Sequence, residues 1–421
     1  MLNRWLTKLG LIIAVLFIGA CSSSTGIEET GNDASLQGRL KVWFSLPQSQ
    51  LLETQVAQFQ QDVSETFDRF TQLYPDIDIV LEWKRDRSVV KEFVQEVEKG
   101  LGPDIVYTIY TYLPPLIQGK VVRNLQPFLD ELELFKLRAD ALSQVRYQGQ
   151  IYGVPIDLDT QALCYNKEKI RELPQTLSDL RLQANQGYSV GIQSSFTATS
   201  WGIQAFGGQL LDAQGRISLT GLQSWAEWME WLKTAKNEPN FILNEDAVAL
   251  QTAFIAGRLT YVTCYSAQIP YLIEVLGNNR FGVTSLPDGE NSPAGPALNT
   301  HAVFFSSVSS PNQTQLALRL VKFLTNPQQQ RLFSLEFPGF VPVNQDVVID
   351  RRLFPIQGII QEESRTGIAI PLDERDKVNA IDYYGNALYS KVLAGEITPD
   401  TAADLLTDKI NTQFGSQKPQ L

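Results

Sequence analysis

Residues 77–107 read IDIVLEWKRDRSVVKEFVQEVEKGLGPDIVY, and the fold is decided here. Ile77-Asp78-Ile79-Val80-Leu81 alternates as a strand. Val89 to Val97 carries the spacing of an amphipathic helix, and Gly100-Leu101-Gly102-Pro103 leads into a second strand, Asp104 to Tyr107. A strand, a helix and a strand joined this closely imply two parallel neighbours with the helix packed on one face of their sheet. The same order is written upstream. Leu40-Lys41-Val42-Trp43-Phe44 reads as a strand. Val56, Phe59, Val63, Phe67, Phe70 and Leu73 then share one helical face until Tyr74-Pro75-Asp76 stops it. The expected class is α/β, a parallel sheet covered by helices.

The chain has 421 residues, more than one compact core accommodates, so two lobes are the expectation. Val154-Pro155-Ile156-Asp157 to Tyr165 is an extended run suited to crossing between them. Phe281 to Pro287 is a second short strand bounded by turn residues, suited to the return. A second alternating region spans 160–280 and includes a helix with Trp225, Trp228 and Trp231, a row better explained by core packing than by ligand stacking. A hydrophobic content of 43% is that of an ordinary globular protein.

The amino terminus, MLNRWLTKLGLIIAVLFIGACSSS, places Arg4 and Lys8 before an apolar core at Leu9 to Phe17. That core is too short to span a bilayer, and small residues precede Cys21. The arrangement resembles a bacterial lipoprotein signal, with residues 1–20 removed and Cys21 lipidated. Residues 21–38 then form a polar tether. Exported chain, held at a bacterial membrane by its lipid, facing the periplasm or the cell surface, is the expectation. Losing Arg4 and Lys8 takes the net charge from −11 to −13, which disfavours nucleic acid.

Cys164 and Cys264 sit in apolar strand-like runs, where two buried free thiols are expected ahead of a disulfide. His301 is the one histidine, so a histidine-rich zinc site or a Ser-His-Asp triad is disfavoured. No phosphate-loop motif occurs. Neither a metal nor a cofactor is expected.

From Leu40 to the C-terminus the chain resembles the maltose-binding-like (family 1) sugar-binding proteins of ABC importers. The resemblance rests on the order of several stretches. These are Tyr74-Pro75-Asp76-Ile77, Gly102-Pro103-Asp104-Ile105-Val106, Tyr147 to Pro155, Asp159-Thr160 with Tyr165-Asn166-Lys167, Phe254 to Arg258, Ala317 to Gln330 and Gly339-Phe340-Val341-Pro342. Cys264 and Tyr265 depart from the family, which often has Met near Thr263 and Trp shortly after it. The resemblance implies a two-lobed periplasmic-binding-protein-like fold of type II with a ligand cleft between lobes. It would divide the chain into an N-terminal lobe, 39–155 with 282–345, and a C-terminal lobe, 156–281 with 346–421. It further implies a monomer that captures a neutral saccharide and hands it to permease subunits.

Carried over residue by residue, the resemblance places Ser45 after the first strand and Tyr107 after the GPD strand. Asp157 falls past the first crossing, Trp201 in a Ser/Thr/Gly-rich loop and Tyr265 after the strand at 260–264. Asn299, Thr300 and His301 follow the return crossing, and Tyr383 lies on a C-terminal helix. Aromatic faces would cover sugar C–H patches while carboxylates and hydroxyls fix the OH groups. Two alternatives stand beside this one. The ligand could be a polyamine, metal chelate or anion, with Lys84, Arg85 and Arg87 as a basic turn. Asp157 and Asp159, at i and i+2 on one face, could also form the carboxylate pair of a lipid-anchored glycosidase.

Overall fold

The computed structural model describes residues 36–46 and 53–415. The signal segment, Cys21 and most of the tether lie outside these residues. Strand β1 (Gly38–Leu46) is followed by helix α1 (Glu53–Leu73), β2 (Ile77–Arg85), helix α2 (Asp86–Glu98) and β3 (Ile105–Ile109). The three strands are parallel with β1 in the middle, as the alternation in 77–107 requires. Val63, Phe67 and Phe70 of α1 are buried, whereas Leu73 is 64% exposed because the chain turns away at Tyr74.

A hairpin of β4 (Arg146–Tyr147) and β5 (Gln150–Ile151) precedes β6 (Gly153–Asp159) and β7 (Gln161–Asn166). Then come β8 (Val190–Gln193), β9 (Phe241–Asn244), β10 (Tyr261–Tyr265), β11 (Phe281–Thr284), β12 (Ala297–Phe305), β13 (Val341–Pro342) and β14 (Ile368–Ala369). The larger sheet has the order β13-β6-β12-β3-β1-β2, with β14 on β12, and the smaller has the order β11-β7-β10-β8-β9. The run 154–159, expected as a crossing, is thus a full strand of the larger sheet, and the chain passes to the smaller sheet at Thr160. Likewise 281–284 pairs with β7 inside the smaller sheet, so the return lies within 285–296.

The second region packs around the tryptophans of helix Leu222–Ala235. Trp225 and Trp228 are fully buried, and Trp228 stacks on Trp231 at 5.0 Å, which makes the row a core feature. Helices Arg375–Leu393 and Pro399–Phe414 close this core through Ile381, Tyr389, Leu406 and Ile410. Among the described residues no helix is long and apolar enough to cross a membrane.

Cys164 of β7 and Cys264 of β10 form a disulfide, not the free thiols expected. The strands are antiparallel neighbours in which Cys164 faces Val262 and Cys264 faces Ala162. The two sulfurs therefore share one face of the sheet on a diagonal, with Cα atoms 5.9 Å apart. The bond closes a loop of 100 residues. Replacing both cysteines with alanine is expected to cost about 2–5 kcal/mol of stability, read by urea unfolding. An unchanged midpoint would refute a structural role.

The return segment is clasped by a buried acid. Glu363, at the end of helix Pro355–Glu363, accepts the Leu286 N–H at 3.0 Å. Burial lifts its carboxyl from 4.5 to about 7 against the hydrogen bonds from Leu286 and Ser285, with Asp288 adding to the rise. Between these two pH values the folded chain keeps a proton that the unfolded chain has released. This contribution to stability is complete below pH 4.5 and is lost as the pH rises through about 7. It amounts to at most about 3 kcal/mol. Glu363→Gln keeps an acceptor without titrating, so the melting temperature of the variant is expected to fall less between pH 5 and 7.5 than that of the parent. Parallel curves would exclude Glu363 as the source.

Candidate functional site

A cavity of about 930 Å³ opens between the larger sheet and the turn and helix that follow β10. Its larger-sheet wall follows from register. His301 of β12 lies opposite Asp157 of β6, and Val303 lies opposite Tyr107 of β3. Alternation then brings Tyr107, His301 and Asp157 to one face, with a bulge after His301 adjusting its aim. Tyr107 donates its hydroxyl to Asp157 Oδ2 at 2.6 Å, and His301 Nδ1 donates to Asp157 Oδ1 at 2.6 Å. The Tyr107 and His301 rings run nearly parallel at 5.8 Å. Ser45 donates to Asp86 Oδ1 at 2.8 Å, and the other Asp86 oxygen accepts from Tyr112.

The opposite wall comes from the turn after β10, with Ser266, Ala267 and Tyr271 lining the cavity. Ser266 donates to Asp159 Oδ1 at 2.6 Å, and the Ala267 N–H reaches the same oxygen at 3.1 Å. Gly339 meets this turn with its backbone. Its φ is +116°, and a Cβ there would lie 2.1 Å from the Ser266 carbonyl oxygen, so glycine is required on both counts.

The charges are set by these contacts. Burial opposes a charge on His301, but Asp157, with Asp159 and Asp86, outweighs it and holds the imidazole up at about 8. Burial raises the Asp159 carboxyl despite its bonds to Ser266 and Ala267. Burial and the neighbouring Asp157 drive the Tyr107 phenol well above its ordinary value. At neutral pH the centre of the cavity is therefore a compensated His301–Asp157 ion pair. The lining contains no Lys or Arg among the described residues. It offers carboxylate acceptors and hydroxyl groups to a hydroxyl-bearing molecule. Among the described residues no set of His, Cys, Asp or Glu is grouped to hold a metal ion.

Four of the residues expected from sequence meet here: Ser45, Tyr107, Asp157 and His301. Thr300 does not, because it is one residue out of phase. Its side chain is fully buried on the other face while its N–H donates to Gln144 Oε1 at 2.9 Å. Trp201 is fully buried against Trp228 at 4.9 Å, since the short helix Trp201–Ala205 turns it into the core. Tyr383 is 74% exposed and outside the cavity. Tyr265 lines a separate pocket of about 310 Å³ with Gln193, Gln251 and Gln268. Burial, with Asp159 and Asp382 nearby, pushes its phenol up to about 12.

Sequence reasoning missed Asp86, Ser266 and Tyr271 as lining residues, and it raised Asp159 only for the hydrolase alternative. The strand-end rule could have found Ser266, which directly follows β10. Nothing local marks Tyr271. Asp104, by contrast, is structural, accepting from the Lys41 N–H and the Ser309 hydroxyl.

Residues 65–351 match the family model described as bacterial extracellular solute-binding protein. The maltotriose-binding protein of Pyrococcus abyssi is 23% identical over 326 residues, 74% of this chain and 68% of that protein. The maltose/maltodextrin-binding domain MalE of Bdellovibrio bacteriovorus, solved with maltotriose, is similar at a TM-score of 0.68 and 18% identity, covering 90% of this chain and all of that one. An ABC transporter solute-binding protein of Thermotoga lettingae, solved with α-D-tagatose, is similar at a TM-score of 0.67 and 19% identity, with 89% and 99% covered. These likenesses fix the two-lobed fold. The matched family is described as solute-binding, not as a hydrolase family, which speaks against the glycosidase alternative. The family match runs from within α1 to beyond β13, across most of the elements that build the cavity, and the chain belongs to the bacterial extracellular solute-binding proteins.

Proposed function

We propose that this protein is the substrate-binding lipoprotein of an ABC importer, capturing a neutral sugar or oligosaccharide between its lobes and delivering it to permease subunits. The observation that carries the reading is the cavity itself. It combines a compensated ion pair, further acceptor carboxylates and aromatic rings, and it is lined by the larger sheet on one side and by the turn and helix that follow β10 of the smaller sheet on the other. Maltotriose binding by the Pyrococcus abyssi relative, and the sugars in the related structures, support the same class of ligand. An anion finds no Lys or Arg in the lining among the described residues. A polyamine would meet carboxylates already engaged: Asp157 by Tyr107 and His301, Asp159 by Ser266, Asp86 by Ser45. In the same reading the lobes divide at Thr160 and within 285–296, and a ligand touching both favours their closed arrangement.

A thermal-shift panel on the Cys21→Ser chain tests the reading with glucose, galactose, mannose, xylose, maltose, maltotriose, spermidine and sulfate. A saccharide is expected to stabilise the chain and to be recovered unaltered, by about 2.7 kcal/mol at 100 times its dissociation constant. Asp157→Ala, which removes a carboxylate from the centre of the cavity, should weaken that saccharide by about 1.5–3 kcal/mol. Stabilisation by spermidine alone, or unaltered sugar affinity in Asp157→Ala, would overturn the assignment.

The anchor has its own test. Cys21→Ser should leave the protein in the soluble fraction after cell breakage, whereas the parent sediments with membranes. Equal sedimentation of the two would defeat lipidation at Cys21.

A further inference from the structure

The two ends of the cavity differ in chemistry. The Asp157–His301 end is a hydrogen-bonding array. The other end is bounded by Val63 and Phe67 of α1, by Leu320 and Leu324 of helix Pro311–Thr325, and by Phe333 and Phe337 of helix Pro327–Glu336 and the residue after it. A continuous run of rings joins the ends. Tyr107 stacks on Phe44 at 4.1 Å, Phe44 meets Phe59 at 5.9 Å and Phe59 meets Phe337 at 5.6 Å. Phe337 then meets Phe333 at 5.9 Å.

These aliphatic and phenyl side chains have neither donors nor acceptors. The carboxylates on the same helices, Glu336 and Asp62, are engaged within the protein, Glu336 by Arg69 at 3.2 Å. A bare sugar ring pressed into this end would leave hydroxyls without partners, which is unfavourable for every group buried. An apolar group buries its surface there at no such penalty.

Resting on the saccharide reading above, we infer that the cleft takes a glycoside with an aryl or alkyl aglycone. The sugar sits at Asp157 and His301, and the aglycone lies along Phe59, Phe67 and Phe337. The occupant of the apolar end is thus part of the same ligand, because one cavity and one run of rings connect the two ends.

Titration calorimetry with the methyl, phenyl and hexyl glycosides of glucose, galactose, mannose, xylose and maltose tests this. For whichever sugar binds, the phenyl and hexyl glycosides should bind at least about tenfold more tightly than the methyl glycoside. Val63→Phe, which fills the apolar end, should reduce that preference to less than about twofold without altering the methyl glycoside. If Val63→Phe does not fold, Phe337→Ala should lower phenyl-glycoside affinity selectively. Equal affinity for methyl, phenyl and hexyl forms would overturn the inference and leave the saccharide reading standing. A variant that weakens methyl and phenyl forms alike would also overturn it. No binding by any sugar or glycoside would overturn the saccharide reading itself.

Discussion

The antiparallel pairing of β6 with β12 is the constraint on which the site depends. It sets Asp157 against His301, and Asn299 against Asp159, at the last turn of chain before the passage to the smaller sheet. Gly153 permits the pairing, since a Cβ there would lie 2.6 Å from the Phe304 ring. From behind, Gln330 donates to the Ile156 carbonyl at 2.9 Å and accepts the Val343 N–H at 2.8 Å, tying β6 to the segment that carries β13. The acid that organises the cavity is therefore held by a strand buried on both faces.

Much of this was legible in the sequence because it depends on period and on strand ends. The alternation of 77–81 and the helical spacing of 89–97 gave the parallel unit, and the family resemblance pointed to Ser45, Tyr107 and His301, which lie on β1, β3 and β12. What was not legible was face. Asn299, Thr300 and His301 are three adjacent residues of one strand, and only the pairing register decides which of them turns to the cavity. Period two turns His301 outward and Thr300 inward. Trp201 lies away from the cavity for a related reason. A loop rich in Ser, Thr and Gly suggested exposure, but Gly202 lets the segment lie directly on the Trp228 ring, where a Cβ would lie 2.1 Å away. The disulfide was equally silent, because Ala162, Cys164 and Cys264 read as buried apolar residues whether or not the sulfurs are bonded.

The electrostatics of the cavity follow from where its one base lies. Had His301 faced solvent it would titrate near its ordinary value and leave Asp157 to repel Asp159. Placed 2.6 Å from Asp157, it stays charged through neutrality and cancels one acid where the two strands meet. Of the other acids on the walls, Asp86 and Asp159 hold hydroxyl or amide donors and Glu336 holds Arg69. Such a centre is polar without being strongly charged, which is the field a molecule with many hydroxyls and no net charge requires.

Ser266 shows how the two sheets share this centre. Its N–H donates to the Thr160 carbonyl at 2.7 Å, and its hydroxyl accepts the Thr160 N–H at 3.1 Å while donating to Asp159. Its carbonyl lies against Gly339. One residue of the turn after β10 is thus bonded to the crossing residue and to a cavity acid, with the segment before β13 packed against its carbonyl. Because these bonds are short and directional, a displacement of the sheets by sliding would break several together. These bonds hold Asp159 where the chain passes from the larger sheet to the smaller one, so the same side chain positions the cavity acid and the crossing residue.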